Sequence, residues 1–200
     1  MYTLLVNIVR VEGDNMNLPT TSKEEIISVC QKIAQEKGLS SVNMRSVASE
    51  CNVSVGAIYN YFPSKTELIC ETIESIWKDI FFMHGKHYAF TNFVECLSWL
   101  FESVQKGREK YPEFLSMHAI AFTTNNKQDG QKVMKKYFVH IKKSLYMVLK
   151  SDKNVRKDAF DENLDENTFV DYIFRLFISS IIKSDQEYKS ILEIVKRCIY

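Results

Sequence analysis

Glycine and proline are scarce, 6 and 3 in 200 residues, which argues against a fold of many short strands joined by tight turns. Long helices need little such punctuation. Charge of one sign is missing too: 26 Lys and Arg face 25 Asp and Glu, a formal net charge of +1. A chain without a global basic field is no bulk nucleic-acid coat, so any contact with DNA must be local. The five cysteines, Cys30, Cys51, Cys70, Cys96 and Cys198, are odd in number and lack CxxC spacing. That pattern argues against a disulfide framework or a zinc knuckle and for a reduced, cytoplasmic setting. The apolar start, residues 1–11, is too short to cross a bilayer and is followed by Glu12, so no membrane partner is expected.

Signatures of catalysis are also lacking. There is no phosphate-cradling glycine loop, no nucleophile elbow and no paired-carboxylate site. His84-x-x-His87 offers two ring nitrogens without a matching cysteine or carboxylate, too few for a metal centre. Neither an enzyme nor a cofactor is expected.

What is present reads as helices. Ser22-x-x-Glu25 forms a capping box ahead of Ile26, Ile27, Cys30, Ile33 and Ala34 at helical spacing, and Gly38 ends that run. Asn43 and Ser54 stand as caps before two short helices, Met44 to Cys51 and about Val55 to Tyr61. Ser64-x-x-Glu67 opens a longer helix through Leu68, Ile73, Ile76 and Ile80, expected to continue to about residue 83. Beyond it the pattern predicts helices over a stripe from Phe90 to Val104, over Glu113 to Phe122, Gln131 to Leu149, Glu166 to Lys183 and Gln186 to Cys198. Lys150 to Asp165 reads as a loop. The expectation is an all-α chain of about nine helices: a flexible extension over 1–19, a three-helix head over 20–66 and a larger helical body over 67–200. Met16 is a second candidate start ahead of the first helix.

The most specific segment runs from Met44 to Phe62. Two helices that cross steeply need a small residue where they meet, and Ala48 supplies it. The turn between them calls for a positive φ, which Asn52 tolerates better than most residues. Val47, Val53 and Ile58 would fill the wedge. Such a helix-turn-helix places its second helix in the major groove, so Ser54, Val55, Gly56 and Asn60 are the base-facing candidates, with Gly56 admitting a close backbone approach. Arg45 is within range of a base or a phosphate.

These residues resemble the N-terminal pattern of the TetR family. Gly38, Val47-Ala48, Asn52-Val53-Ser54-Val55-Gly56, Tyr59-Asn60-Tyr61-Phe62 and Ser64-Lys65-Thr66-Glu67-Leu68 stand in its order. The strong part of the likeness covers about Ser22 to Leu68. Asn52 replaces a usual glycine, Cys51 a usual small residue, and Val55 occupies a position that is commonly basic or polar. The resemblance implies a transcriptional regulator, most often a repressor, that binds a palindromic double-stranded operator. It places Tyr59, Tyr61 and Lys65 on phosphates and leaves Phe62 in the core.

A head this small implies a homodimer presenting two recognition helices. Phe169, Val170, Ile173, Phe177 and Ile181, with Tyr188, Ile191, Leu192 and Val195, cover more than one helical stripe and are the expected dimer surface. The resemblance further implies an apolar pocket for a small apolar or aromatic effector, with Trp99, Met117, His118, Phe122, Tyr137, Tyr146, Phe174 and Phe177 as candidate lining. A helical protein-interaction module, or an activator without a small-molecule inducer, is the alternative.

Overall fold

The computed structural model describes residues 21–82, 90–112, 114, 128–183 and 188–200, and all their regular elements are helical. The head holds α1 (Lys23–Lys37), a 3-10 turn (Leu39–Ser41), α2 (Met44–Glu50) and α3 (Val55–Tyr61). The linking helix α4 (Lys65–Phe82) leads to α5 (Phe93–Lys110), α6 (Gln128–Ser151), α7 (Glu166–Lys183) and α8 (Tyr188–Ile199). Eight α-helices are thus described. The expected helix over Glu113 to Phe122 lies, apart from Phe114, outside the described residues.

Helix starts follow the capping chemistry read in the sequence. At α1, Ser22 Oγ accepts the Glu25 N–H and a Glu25 carboxylate oxygen accepts the Ser22 N–H, each at 3.0 Å, closing the capping box. Ser64 Oγ accepts the Glu67 N–H at 3.1 Å ahead of α4. The α5 stripe begins later than expected. Asn92 Oδ1 accepts the Glu95 N–H at 2.8 Å, so the helix opens at Phe93 and Phe90 precedes it.

Two contacts, one turn apart, join α4 to the end of α5. At Gly107 of α5 the helices approach so closely that an added Cβ would meet Ile80 of α4. One turn on, the Tyr111 hydroxyl donates to Asp79 Oδ2 at 2.9 Å, and Lys110 Nζ lies 2.7 Å from the same oxygen. Burial first, and then the Asp79 carboxylate, push the Tyr111 pKa upward. Gln35 of α1 opposes that rise through its own hydrogen bond, so this one hydroxyl touches the head as well.

The body core is aromatic. Trp77 stacks on Phe81 with centroids 5.3 Å apart and meets Phe114 and Phe138 edge-on. Phe138 then meets Phe174, and Phe177 meets Phe101, carrying ring contacts across α6, α7 and α5. At the opposite end buried Asp152 gathers three donors: the Phe93 N–H at 2.8 Å, the Asn154 N–H at 2.9 Å and the Tyr200 hydroxyl. What reads as a plain polar loop after α6 is thereby stitched to α5 and to the residue after α8.

Two groups of residues singled out in the sequence take their places here. Phe169, Val170, Ile173, Phe177, Ile181 and Val195, expected on a dimer surface, are buried in the protomer's own core. α7 packs against both α6 and α8, and its inner stripe also meets α5 through Phe93 and Phe101. Tyr188, Ile191 and Leu192 are half-buried against the same core. Among the described residues, the large apolar side chains left outward on α7 and α8 are Tyr172 and Leu176, one turn apart on α7, and Ile194 on α8.

The expected pocket lining also divides. Phe174 and Phe177 are close-packed core, Trp99 lies half-buried against Phe81 and Phe90, and Tyr146 is half-buried beneath Lys150. Met117, His118, Phe122 and the Tyr137 side chain lie outside the described residues, as does His84-x-x-His87. An open groove of about 630 Å3 is found elsewhere, between the start of α5 and α8, lined by Val94, Glu95, Ser98, Leu192, Lys196 and Tyr200 among others. None of the expected lining residues borders it.

Candidate nucleic-acid interface

The helix-turn-helix is built by local chemistry at each joint. Asn43 Oδ1 accepts the N–H groups of Arg45 and Ser46 at 3.0 and 3.1 Å, which starts α2. Asn52 takes φ 53°, among the described residues the one non-glycine at positive φ, and this turns the chain out of α2. The Val53 N–H then donates to the Ala48 carbonyl at 3.0 Å, closing the turn over the small residue. Val47, Ala48 and Ile58 are buried in the wedge and Val53 packs partly against it. Ser54 caps α3, its Oγ accepting the Ala57 N–H at 3.2 Å.

This scaffold turns a defined strip of α3 outward. Ile58 is fully buried, while Ser54, Val55, Gly56, Tyr59 and Asn60 are all exposed. Tyr59 is the most open of the large residues of this strip, at 49%. Lys65 at the start of α4 and Arg45 at the start of α2 flank the strip and are exposed as well. Among the described residues the side chains of Arg45, Tyr59, Asn60 and Lys65 have no partner, so their donors remain available to an outside acceptor. Phe62 is fully buried with Lys23 Nζ 5.3 Å from its ring centre, a core residue as expected.

Tyr61 is placed differently. Its hydroxyl donates to the Thr21 carbonyl, 40 residues away, tying the approach to α1 against the end of α3. A hydroxyl carries one proton, so in this arrangement Tyr61 offers a phosphate only its acceptor side and its ring. No sequence signal marks this contact, because Thr21 is distant along the chain.

The field around the strip is nearly neutral. Lys37 pairs with Glu50 at 3.3 Å and Lys23 with Glu71, which removes two of the head's few cations from external work. The two thiols of the head are poor reactive groups. Burial, against a hydrogen bond to Thr72, lifts Cys30 to about 11. Burial and the charge of Glu25 also raise Cys51. A thiol kept protonated packs rather than reacts.

The comparisons agree with this geometry. Residues 22–72 match the family model described as bacterial regulatory proteins, tetR family. The HTH-type transcriptional repressor KstR of Rhodococcus jostii is 26% identical over 96 residues, 48% of this chain and 45% of that repressor. The regulator YuxN of Bacillus subtilis is 36% identical over 56 residues, 28% of this chain and 19% of its own length. The matched stretch therefore spans less than half of either relative.

Among solved structures, BioQ with its double-stranded DNA operator superposes with a TM-score of 0.58 at 13% identity, over 89% of this chain and 97% of that one. The fatty acid degradation regulator FadR of Bacillus halodurans gives 0.58 at 16% identity, over 89% and 95%. Likeness at such identity speaks to the fold, and it extends through the body as well as the head.

Proposed function

We propose that this chain, a TetR-family protein by its head over residues 22–72 and by its helical fold, is a sequence-specific transcriptional repressor. It binds a palindromic operator as a homodimer and is released by a small-molecule effector. The observation that carries the reading is the outward strip of α3, where Tyr59 and Asn60 stand exposed and, among the described residues, without side-chain partners, between the exposed cations Arg45 and Lys65 in the chain. A surface strip so poor in charge is suited to groove contacts at placed positions rather than to bulk attraction.

Tyr59 and Lys65 hold phosphates, and Val55, Gly56 and Asn60 face the bases. Ser54 keeps its hydroxyl proton for the DNA while its oxygen caps α3. One head reads few bases, and a second copy supplies the other half-site about one DNA turn away. Tyr172, Leu176 and Ile194 are the apolar surface of α7 and α8 left for that copy. An effector acts by preferring the arrangement that separates the heads from DNA, since equal affinity for both arrangements shifts nothing. Its entry to the head is α4, held to α5 through Gly107 and Tyr111. The ring-rich centre of the body around Trp77, Trp99 and Phe138 favours an apolar or aromatic effector.

Footprinting the purified protein on the DNA upstream of its own gene, with titration at two salt concentrations, tests the reading. A protected near-palindrome whose binding weakens with salt is expected. If no sequence is protected there or selected from random DNA, the chain is a helical interaction protein instead.

A further inference from the structure

Nothing among the described residues requires Gly56 to be glycine. Among the described residues the positive φ values belong to Gly38 and Asn52, so Gly56 has ordinary helical geometry. A Cβ added to it would meet Ser54 Oγ at 3.7 Å, an ordinary contact, and otherwise open space. Gly107 shows the opposite case, where the added atom collides with Ile80. Alanine is the better helix former at an exposed position, and yet glycine stands there. The remaining use of a missing side chain is to let something external approach the backbone.

The neighbours of Gly56 indicate what approaches. Asn60 is one turn away on the same exposed side, and Val55 and Tyr59 form the adjacent row. The seven residues of α3, VGAIYNY, include no charged side chain. In the major groove guanine is read by Arg or Lys on O6 and N7, adenine by an Asn or Gln carboxamide on N6 and N7, and the thymine methyl by apolar groups. The exposed strip holds the adenine and thymine readers and lacks the guanine reader.

We propose that α3 reads A·T pairs at the core of each half-site, with Gly56 left bare so that a thymine methyl packs against the helix beside Val55, and with Asn60 pairing its carboxamide to a neighbouring adenine. This rests on the DNA-binding reading above and adds the identity of the bases.

The test is selection of binding sites from random duplexes with the full chain, followed by titration of the selected duplex with single thymines replaced by uracil, which lacks only the 5-methyl group. The wild type is expected to select A·T pairs at the core. One uracil in the contacted position of a half-site weakens binding about fourfold. Asn60→Ala loses about tenfold and relaxes the preference at one position per half-site. Gly56→Ala raises the thermal midpoint while weakening DNA binding and erasing the thymine-over-uracil difference, a pairing of signs that a purely structural glycine would not give. Selection of a G·C core, equal binding of thymine and uracil duplexes, or a lowered midpoint for Gly56→Ala overturns the proposal and leaves a DNA-binding regulator standing. Failure to select any sequence overturns that reading as well.

Discussion

Gly107 of α5 lies so tightly under Ile80 of α4 that a Cβ on it would come within 2.8 Å of Ile80 Cγ1 and within 3.2 Å of two further atoms of the same side chain. Ile80 is buried and β-branched, so it has little room to turn away. Gly107→Ala gains helix propensity of about 1 kcal/mol but overpacks this crossing, which costs about 1–3 kcal/mol. A net loss of about 1 kcal/mol is expected in urea unfolding. An unchanged or raised stability would show that α4 and α5 slide apart freely there.

Asp152 supplies a pH signature. Burial alone would raise its pKa, but the Tyr200 hydroxyl and the N–H groups of Phe93 and Asn154 outweigh burial and hold it below the ordinary carboxylate value. A carboxylate lowered by folding stabilises the protein above its unfolded value of about 3.9, and that contribution disappears as pH falls through the folded value. Asp152→Asn is therefore expected to lose about 1–3 kcal/mol at neutral pH, with its deficit against wild type narrowing below about pH 4. Denaturation at pH 7 and at a pH near 3.5 measures both. A deficit equal at the two pH values would assign the loss to packing.

The two tyrosines of the head should separate. The Tyr59 hydroxyl is exposed and unpartnered among the described residues, whereas that of Tyr61 donates to Thr21. Tyr59→Phe is expected to weaken operator binding about fivefold to tenfold through loss of a phosphate hydrogen bond. Tyr61→Phe should have a smaller effect on DNA and a larger one on the thermal midpoint. Lys65→Ala should reduce the salt slope by about 0.9, the value for one phosphate. Equal losses for the two tyrosines in a gel-shift titration would mean that Tyr61 releases Thr21 on binding.

Self-association should depend on the outward residues of α7. Leu176→Arg is expected to convert the dimer to monomers in sedimentation while leaving helical content intact, because Leu176 is 41% exposed and lies outside the buried core cluster. The monomer should bind a full operator at least about a hundredfold more weakly, having lost the linkage between half-sites. A dimer that survives both Leu176→Arg and Tyr172→Arg would place the interface elsewhere.

Much of the head was legible along the chain because its decisive interactions are local. Ser22 with Glu25, Asn43 with Ser46, Ser54 with Ala57 and the left-handed Asn52 all act within three residues or fewer, so their spacing carries their meaning. The body was legible as helices, but not for which face of each helix is turned inward. A wide apolar arc on α7 does not say which side meets its own protomer. Phe169, Ile173 and Phe177, expected to serve both the protomer and a second copy, lie inside the protomer, where α5, α6 and α8 cover that side and leave Tyr172 and Leu176 exposed. Trp77, Phe138, Tyr111 and Asp152 escaped notice as organising residues, since each acts on partners far away in sequence.

By itself, then, the sequence determined an all-helical chain, a helix-turn-helix at Met44 to Phe62 and the composition of its reading strip, because caps, turn residues and 3.6-residue periodicity operate over short separations. Only the tertiary structure decided that Tyr61 holds the approach to α1, that Gly107 and Tyr111 lock α4 to the body, that Gly56 is free of internal constraint, and which face of α7 stays open. Those are outcomes of helices packing at a distance, where the position of a side chain depends on which neighbour arrives to cover it.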